Sequence, residues 1–214
     1  MSLGIALLLV VLLGYFSNWI NWRFLNFRIM HGLYYIGAFV HESSHALMCL
    51  FTRAKIREYV IFSEQPHVTY ERSRFSFIGD MLISSAPVFG GLFFLFLLNV
   101  VLFDKAITIP IPEATVAGLL LSPLRIFASM HVFEWQSLVM LMLFLNVGAM
   151  LGPSIQDMKN MWLMLIVLFF VHIPSLLGFG LIALSLVLAN IYLQLILILL
   201  ARLLSWSVGL IRGV

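Results

Sequence analysis

The sequence predicts an all-α polytopic membrane protein, with about six transmembrane helices and a small membrane-associated β-hairpin after the second. Three observations carry that prediction. Of the 214 residues, 63% are hydrophobic and only 10% charged, and the mean hydropathy is +1.09, too little polar surface for a soluble domain. The apolar residues gather in runs that can cross about 30 Å of hydrocarbon at about 1.5 Å per residue. One run holds His41, Glu42 and His45 together, although an ionisable side chain in a span costs about 2.5–3.5 kcal/mol to insert.

The chain reads as a single membrane domain, residues 1–214, in contact with the lipid bilayer. A net charge of +3 is spread thinly and no basic block stands out, so nucleic acid is not an expected partner. The one cysteine, Cys49, cannot form an internal disulfide and says nothing about compartment. It lies four residues beyond His45 on the same helical face, but its apolar surroundings favour packing over ligation.

Residues 3–20 form the first apolar run. No Lys or Arg precedes it and no small-x-small cleavage pattern follows, so it is expected to be a retained span and not a signal peptide. Asn21 to Arg28, with Trp22, Arg23, Phe24 and Arg28, reads as an interfacial linker. The second span, Met30 to Phe51, carries His41-Glu42-Ser43-Ser44-His45. Arg53 to Asp80 then mixes five basic and four acidic residues with Ile, Val, Tyr and Phe. Lys55–Phe62 and His67–Glu71 are strand-like around a Ser63-Glu64-Gln65-Pro66 turn, a hairpin expected to lie against the membrane. His67 beside that turn reads as a solvated loop histidine.

Met81 to Phe103 is the third span, with Ser84-Ser85-Ala86-Pro87 and Gly90-Gly91 allowing close approach of a helix or a substrate. Asp104 to Glu134, with Pro110, Pro112 and Pro123, reads as a loop holding one interfacial or re-entrant helix around Ala117 to Leu121. Gln136 to Leu151 is the next span and breaks at Gly152-Pro153, since proline removes a backbone donor. Met161 to Leu204 is long enough for two spans, with a turn expected across Ile173-Pro174-Ser175 and Gly178-Phe179-Gly180 and an interfacial His172 beside it.

His41-Glu42-Ser43-Ser44-His45 is an HExxH pattern, which a chain of this composition contains by chance about once in two hundred. Residues four apart lie one turn up the same helical face, so both imidazoles can meet one metal ion, and Glu42, one step round, can reach a water beside it. Zinc acidifies such a water and polarises a carbonyl, while a glutamate moves the proton to the leaving amine. A catalytic zinc takes three protein ligands and keeps an open position. Asp157, beside the Gly152-Pro153 break, is the best candidate for the third; its alternative reading is a helix cap or a partner for Lys159. Irregular backbone at membrane depth survives only where it faces protein or a watery cavity.

The twelve Lys and Arg give orientation. Arg53, Lys55, Arg57, Arg72, Arg74, Lys159, Arg202 and Arg212 fall on one side of a six-span path. Arg23, Arg28, Lys105 and Arg125 fall on the other. Eight against four puts both termini and the hairpin in the cytoplasm, with the plasma membrane as the expected location. The arginines flanking the first span locally favour the reverse.

On these residues the chain resembles the site-2 protease family of intramembrane zinc metalloproteases. The similarity covers about residues 30–165 and is strongest over Phe39–Leu47, the hairpin segment and Ser85-Ala86-Pro87-Val88-Phe89-Gly90-Gly91, with flanking spans at 1–20 and 161–204. The resemblance implies zinc as cofactor, His41, His45 and Asp157 as its ligands, Glu42 as general base and Asn146 as a substrate-binding residue. The order Ile155-Gln156-Asp157-Met158 departs from the family's usual Leu-Asp-Gly. With 214 residues leaving no room for an inserted regulatory domain, substrate selection is expected to rest on the membrane core and on the hairpin edge, where an unwound substrate can pair its backbone. The expected activity is hydrolysis of peptide bonds within or next to transmembrane segments, so the partner is a membrane-protein or membrane-proximal peptide substrate. The alternative is an inactive relative or metal carrier that binds zinc without hydrolysis.

Overall fold

The computed structural model describes residues 1–24, 28–63, 66–105, 107–131, 133–170 and 174–212. Among them the chain forms α1 (Leu3–Phe24), α2 (Arg28–Thr52), β1 (Ile56–Val60), β2 (His67–Tyr70), α3 (Ser76–Val101), α4 (Val116–Ala128), α5 (Trp135–Ala149), α6 (Ile155–Phe170) and α7 (Pro174–Arg212). Six of these helices occupy the predicted spans, and α4 is the extra helix of the long connection. By length and composition, α3 and Leu177–Leu203 of α7 are long and apolar enough to cross a membrane. Leu3–Ser17 of α1, α4 and α5 are shorter apolar helices.

The apolar faces follow helical spacing. Leu3, Leu7 and Val10 of α1 and Met140, Phe144 and Val147 of α5 recur at i, i+4 and i+7 and meet Leu184, Val187 and Ile191 of α7 in one core. Phe89, Phe93, Phe96 and Val100 form an exposed stripe on the outer side of α3. In water such a stripe would be a liability, whereas lipid is its natural solvent. The motif helix α2 packs against both α3 and α5, and α1 packs against α6 and α7. Gly37 makes the α2–α5 approach possible, for a Cβ there would overlap the backbone carbonyl of Asn146.

Several boundaries differ from the sequence reading. The expected interfacial linker is mostly helix, with α1 running to Phe24 and α2 starting at Arg28; its centre lies outside the described residues. Gly178-Phe179-Gly180 is not a turn but lies inside α7. Gly180 serves packing there, since a Cβ would come within 3.0 Å of Leu3 and 3.1 Å of Ala6. Pro174 instead opens α7, the position where a missing N–H costs nothing; Ile173 of the expected turn and the expected interfacial His172 lie outside the described residues. The helix also runs on to Arg212, beyond Leu204. The expected span Gln136–Leu151 is a 15-residue helix of about 23 Å, and α6 has 16 residues and about 24 Å, both short of a full hydrocarbon core. Each stops at the same irregular segment, residues 150–154, where Gly152 and Pro153 interrupt the ladder.

The hairpin forms as predicted, antiparallel with Tyr59 opposite Val68 and Val60 opposite His67, and irregular between Ile56 and Glu58. His67 lies 3.5 Å from Glu58 across the pair, and Arg57 pairs with Glu71. Its position is more specific than the expected rest against the membrane. Tyr59 OH meets Ser43 Oγ of the motif at 2.7 Å, and the Tyr70 hydroxyl bonds Ser84 of α3, to which Asn160 of α6 donates at 3.1 Å. Burial pushes the Tyr70 phenol above its usual pKa, keeping it neutral in that network. The hairpin is therefore fastened to α2 and α3 beside the motif, and Ser84 links that attachment to α6.

Candidate metal centre

His41 and His45 rise one turn apart on α2, their rings 5.0 Å apart and edge to face. His41 Nδ1 lies 2.7 Å from the carbonyl oxygen of Met150, and His45 Nδ1 lies 2.8 Å from that of Ile83. A carbonyl can only accept, so in each neutral ring Nδ1 carries the proton and Nε2 keeps its lone pair. This is the outer-shell pattern that orients a ligating histidine.

Both carbonyls are available for a local reason. Within α3 the Ile83 oxygen would take its bond from the residue four ahead, which is Pro87 and has no N–H. Met150 caps the C-terminus of α5, and the N–H four residues ahead of it, that of Ser154, is turned to Asp157. The proline of the Ser-Ser-Ala-Pro stretch and the Gly152-Pro153 break thus each leave one acceptor, and each acceptor aims one imidazole.

Asp157 sits in the first turn of α6, where Ser154 N–H and Ser154 Oγ donate to its Oδ2 at 2.9 and 2.6 Å. The Asp157 N–H returns to Ser154 Oγ at 3.2 Å, which completes a reciprocal capping box. Capping and ligation are not alternatives here, for the same Oδ2 lies 3.5 Å from His45 Nε2. Lys159, two residues on, is exposed.

One donor atom from each of His41, His45 and Asp157 lies within 4.8 Å of the others, and His45 and Asp157 are buried. Two ligand atoms about 2.05 Å from a tetrahedral zinc are about 3.4 Å apart. The His45–Asp157 separation of 3.5 Å is close to that value, and the donor set of two neutral imidazoles and one carboxylate suits zinc. The residues fit a three-ligand metal site.

Glu42 does not belong to that donor group. Its carboxylate accepts a hydrogen bond from the Val68 backbone N–H of β2, and it lines a cavity of about 180 Å³ with Tyr15, His41, Pro66, Met150 and Ser154. The arrangement can hold a metal on one wall and move a proton beside it. Cys49 is buried among Ala54 and Ile83, and His67 is on the hairpin; neither joins the donor group. Asn146 is buried on α5, where its amide donates to the Met142 carbonyl at 2.7 Å, and it is not among the cavity-lining residues.

A profile of Peptidase M50B-like proteins matches residues 4–178. The chain belongs to the Peptidase M50B-like family. Neither the comparison with curated proteins nor that with solved structures finds a match. The M50B-like match begins in α1 and ends in α7, so it covers more of the chain than the 30–165 resemblance. It confirms the site-2-protease-like membership expected from HExxH. In this M50B-like chain the sequence reading missed Ser154 and the two histidine-orienting carbonyls. Ser154-Ile155-Gln156-Asp157 carries a capping-box signature, and Pro87 stands four residues after Ile83, so both signals were present. Tyr15 of the cavity wall gives no such signal.

Proposed function

We propose that the protein is an intramembrane zinc metalloprotease that hydrolyses peptide bonds within or next to transmembrane segments. The observation that carries the reading is the convergence of His41, His45 and Asp157 beside a cavity that also holds Glu42. Zinc is the metal typical of the family, and when bound it supplies Lewis acidity to water and carbonyl. His41, His45 and Asp157 hold it. Glu42 takes a proton from the attacking water and delivers it to the amide nitrogen as the C–N bond breaks. Asn146 meets substrate only if it turns towards the cavity, which it does not line.

In the bilayer, α1, α2, α3, α5, α6 and α7 make six crossings with hairpin and termini in the cytoplasm. The breaks that shorten α5 and α6 put their polar backbone at the site instead of in lipid. The test is metal content and cleavage in detergent. About one zinc per chain is expected, with cleavage of a transmembrane reporter peptide that stops on chelation and returns with added zinc. A folded protein that binds no zinc would remove the reading.

The hairpin edge is the part of the site that would select an unwound substrate. Val68→Pro removes the N–H that holds Glu42 while leaving the three metal donors in place. Zinc content should stay at the wild-type level while cleavage falls about tenfold or more, the value of a hydrogen bond to a charged group. An unchanged rate would detach the hairpin from the reaction.

A further inference from the structure

Tyr15 belongs to α1, a helix that supplies none of the metal donors. Its ring packs in a cluster with Val11, Met158 and Met161. Its hydroxyl oxygen is buried and finds no hydrogen-bond partner among the described residues. An unpaired buried hydroxyl destabilises the fold, and phenylalanine would fill the same space without that cost. The residue nevertheless lines the cavity that holds His41 and Glu42, and Asp157 is within its electrostatic reach.

The position of the phenol is fixed from behind. A Cβ on Gly14 would come within 2.8 Å of the Gly152 Cα, so α1 lies directly against the break between α5 and α6. Tyr15 therefore faces the cavity from the α1 side, while His41 and Glu42 face it from α2.

We propose that Tyr15 is a catalytic residue whose phenolic O–H donates a hydrogen bond to the carbonyl oxygen of the scissile peptide bond. The assignment rests on the hydrolase reading above. As the water oxygen bonds to the carbonyl carbon, the C=O π pair moves onto oxygen, where the Tyr15 O–H receives it, and Glu42 takes the water's proton. On collapse that pair reforms C=O, the C–N bond breaks, and the proton on Glu42 passes to nitrogen, giving a carboxyl and an amine terminus. Tyr15 keeps its own proton throughout. The donor is aimed where charge develops, so its effect falls on the transition state more than on substrate binding.

Tyr15→Phe preserves the packing and removes only the hydroxyl. Two readouts are compared in the zinc-loaded, detergent-solubilised protein: cleavage of a transmembrane reporter peptide, and calorimetric affinity for a peptide phosphonate, an anionic tetrahedral mimic. Expected are a fall of about 10²-fold in kcat with KM little changed, a comparable loss of phosphonate affinity, and unaltered zinc content. Wild-type turnover in Tyr15→Phe, with Glu42→Gln inactive in the same assay, would overturn the assignment and leave the hydrolase reading standing. Lost turnover with intact phosphonate affinity would also overturn it, assigning the hydroxyl to packing. A zinc-loaded wild type that cleaves nothing would overturn the hydrolase reading and this assignment with it.

Discussion

Replacing Glu42 with Gln is expected to lower peptide cleavage by about 10²–10⁴-fold, the usual contribution of a general base, while zinc stays at the wild-type level. The separation of the two effects follows from position. Glu42 lines the cavity but does not belong to the donor group of His41, His45 and Asp157. The glutamine amide keeps the size of the side chain and can still accept from Val68 N–H, but it cannot take a proton at neutral pH. Metal analysis beside a single-turnover cleavage assay reads both quantities. A metal carrier of the same fold would be indifferent to this substitution, so an unaltered rate of whatever the protein does would favour the carrier over the protease.

Asp157→Ala is expected to weaken zinc by well over 100-fold and to abolish cleavage, because on the proposed reading it removes a ligand and not merely a group that orients one. It also deletes half of the capping box at the start of α6, worth about 1 kcal/mol of helix stability. Ser154→Ala separates the two roles. It removes the hydroxyl that bonds Oδ2 but leaves the carboxylate, so zinc should weaken by about 10–100-fold, the range for outer-shell partners. Competition against a chelator of known affinity measures both variants. Equal zinc affinity in Asp157→Ala and wild type would move the third ligand elsewhere.

Much of the site could be read in one dimension. HExxH needs only helical geometry, since four residues along α2 return to the same face whatever surrounds the helix. The break at Gly152-Pro153 and the small residues of α3 were equally local, because proline's missing N–H acts within its own turn. The hairpin too was legible from strand content around a turn. Its attachment was not, because the Tyr59–Ser43 and Tyr70–Ser84 contacts join residues that lie 14 or more positions apart.

Solvent, element order and the pair of histidines were legible along the chain, since composition, hydrophobic run length and helical period are properties of neighbouring residues. Packing was needed to bring the Asp157 carboxylate, which also caps its helix, to His45 and to aim the two imidazoles with the Ile83 and Met150 carbonyls. The same holds for Tyr15, which shares a cavity with Glu42, and for Gly178–Gly180, which continue a helix. The physical reason is common to all of these. Each depends on which helix lies across from which, and that is settled by close contacts such as Gly37 on Asn146, Gly14 on Gly152 and Gly180 on Leu3, between residues far apart in the chain.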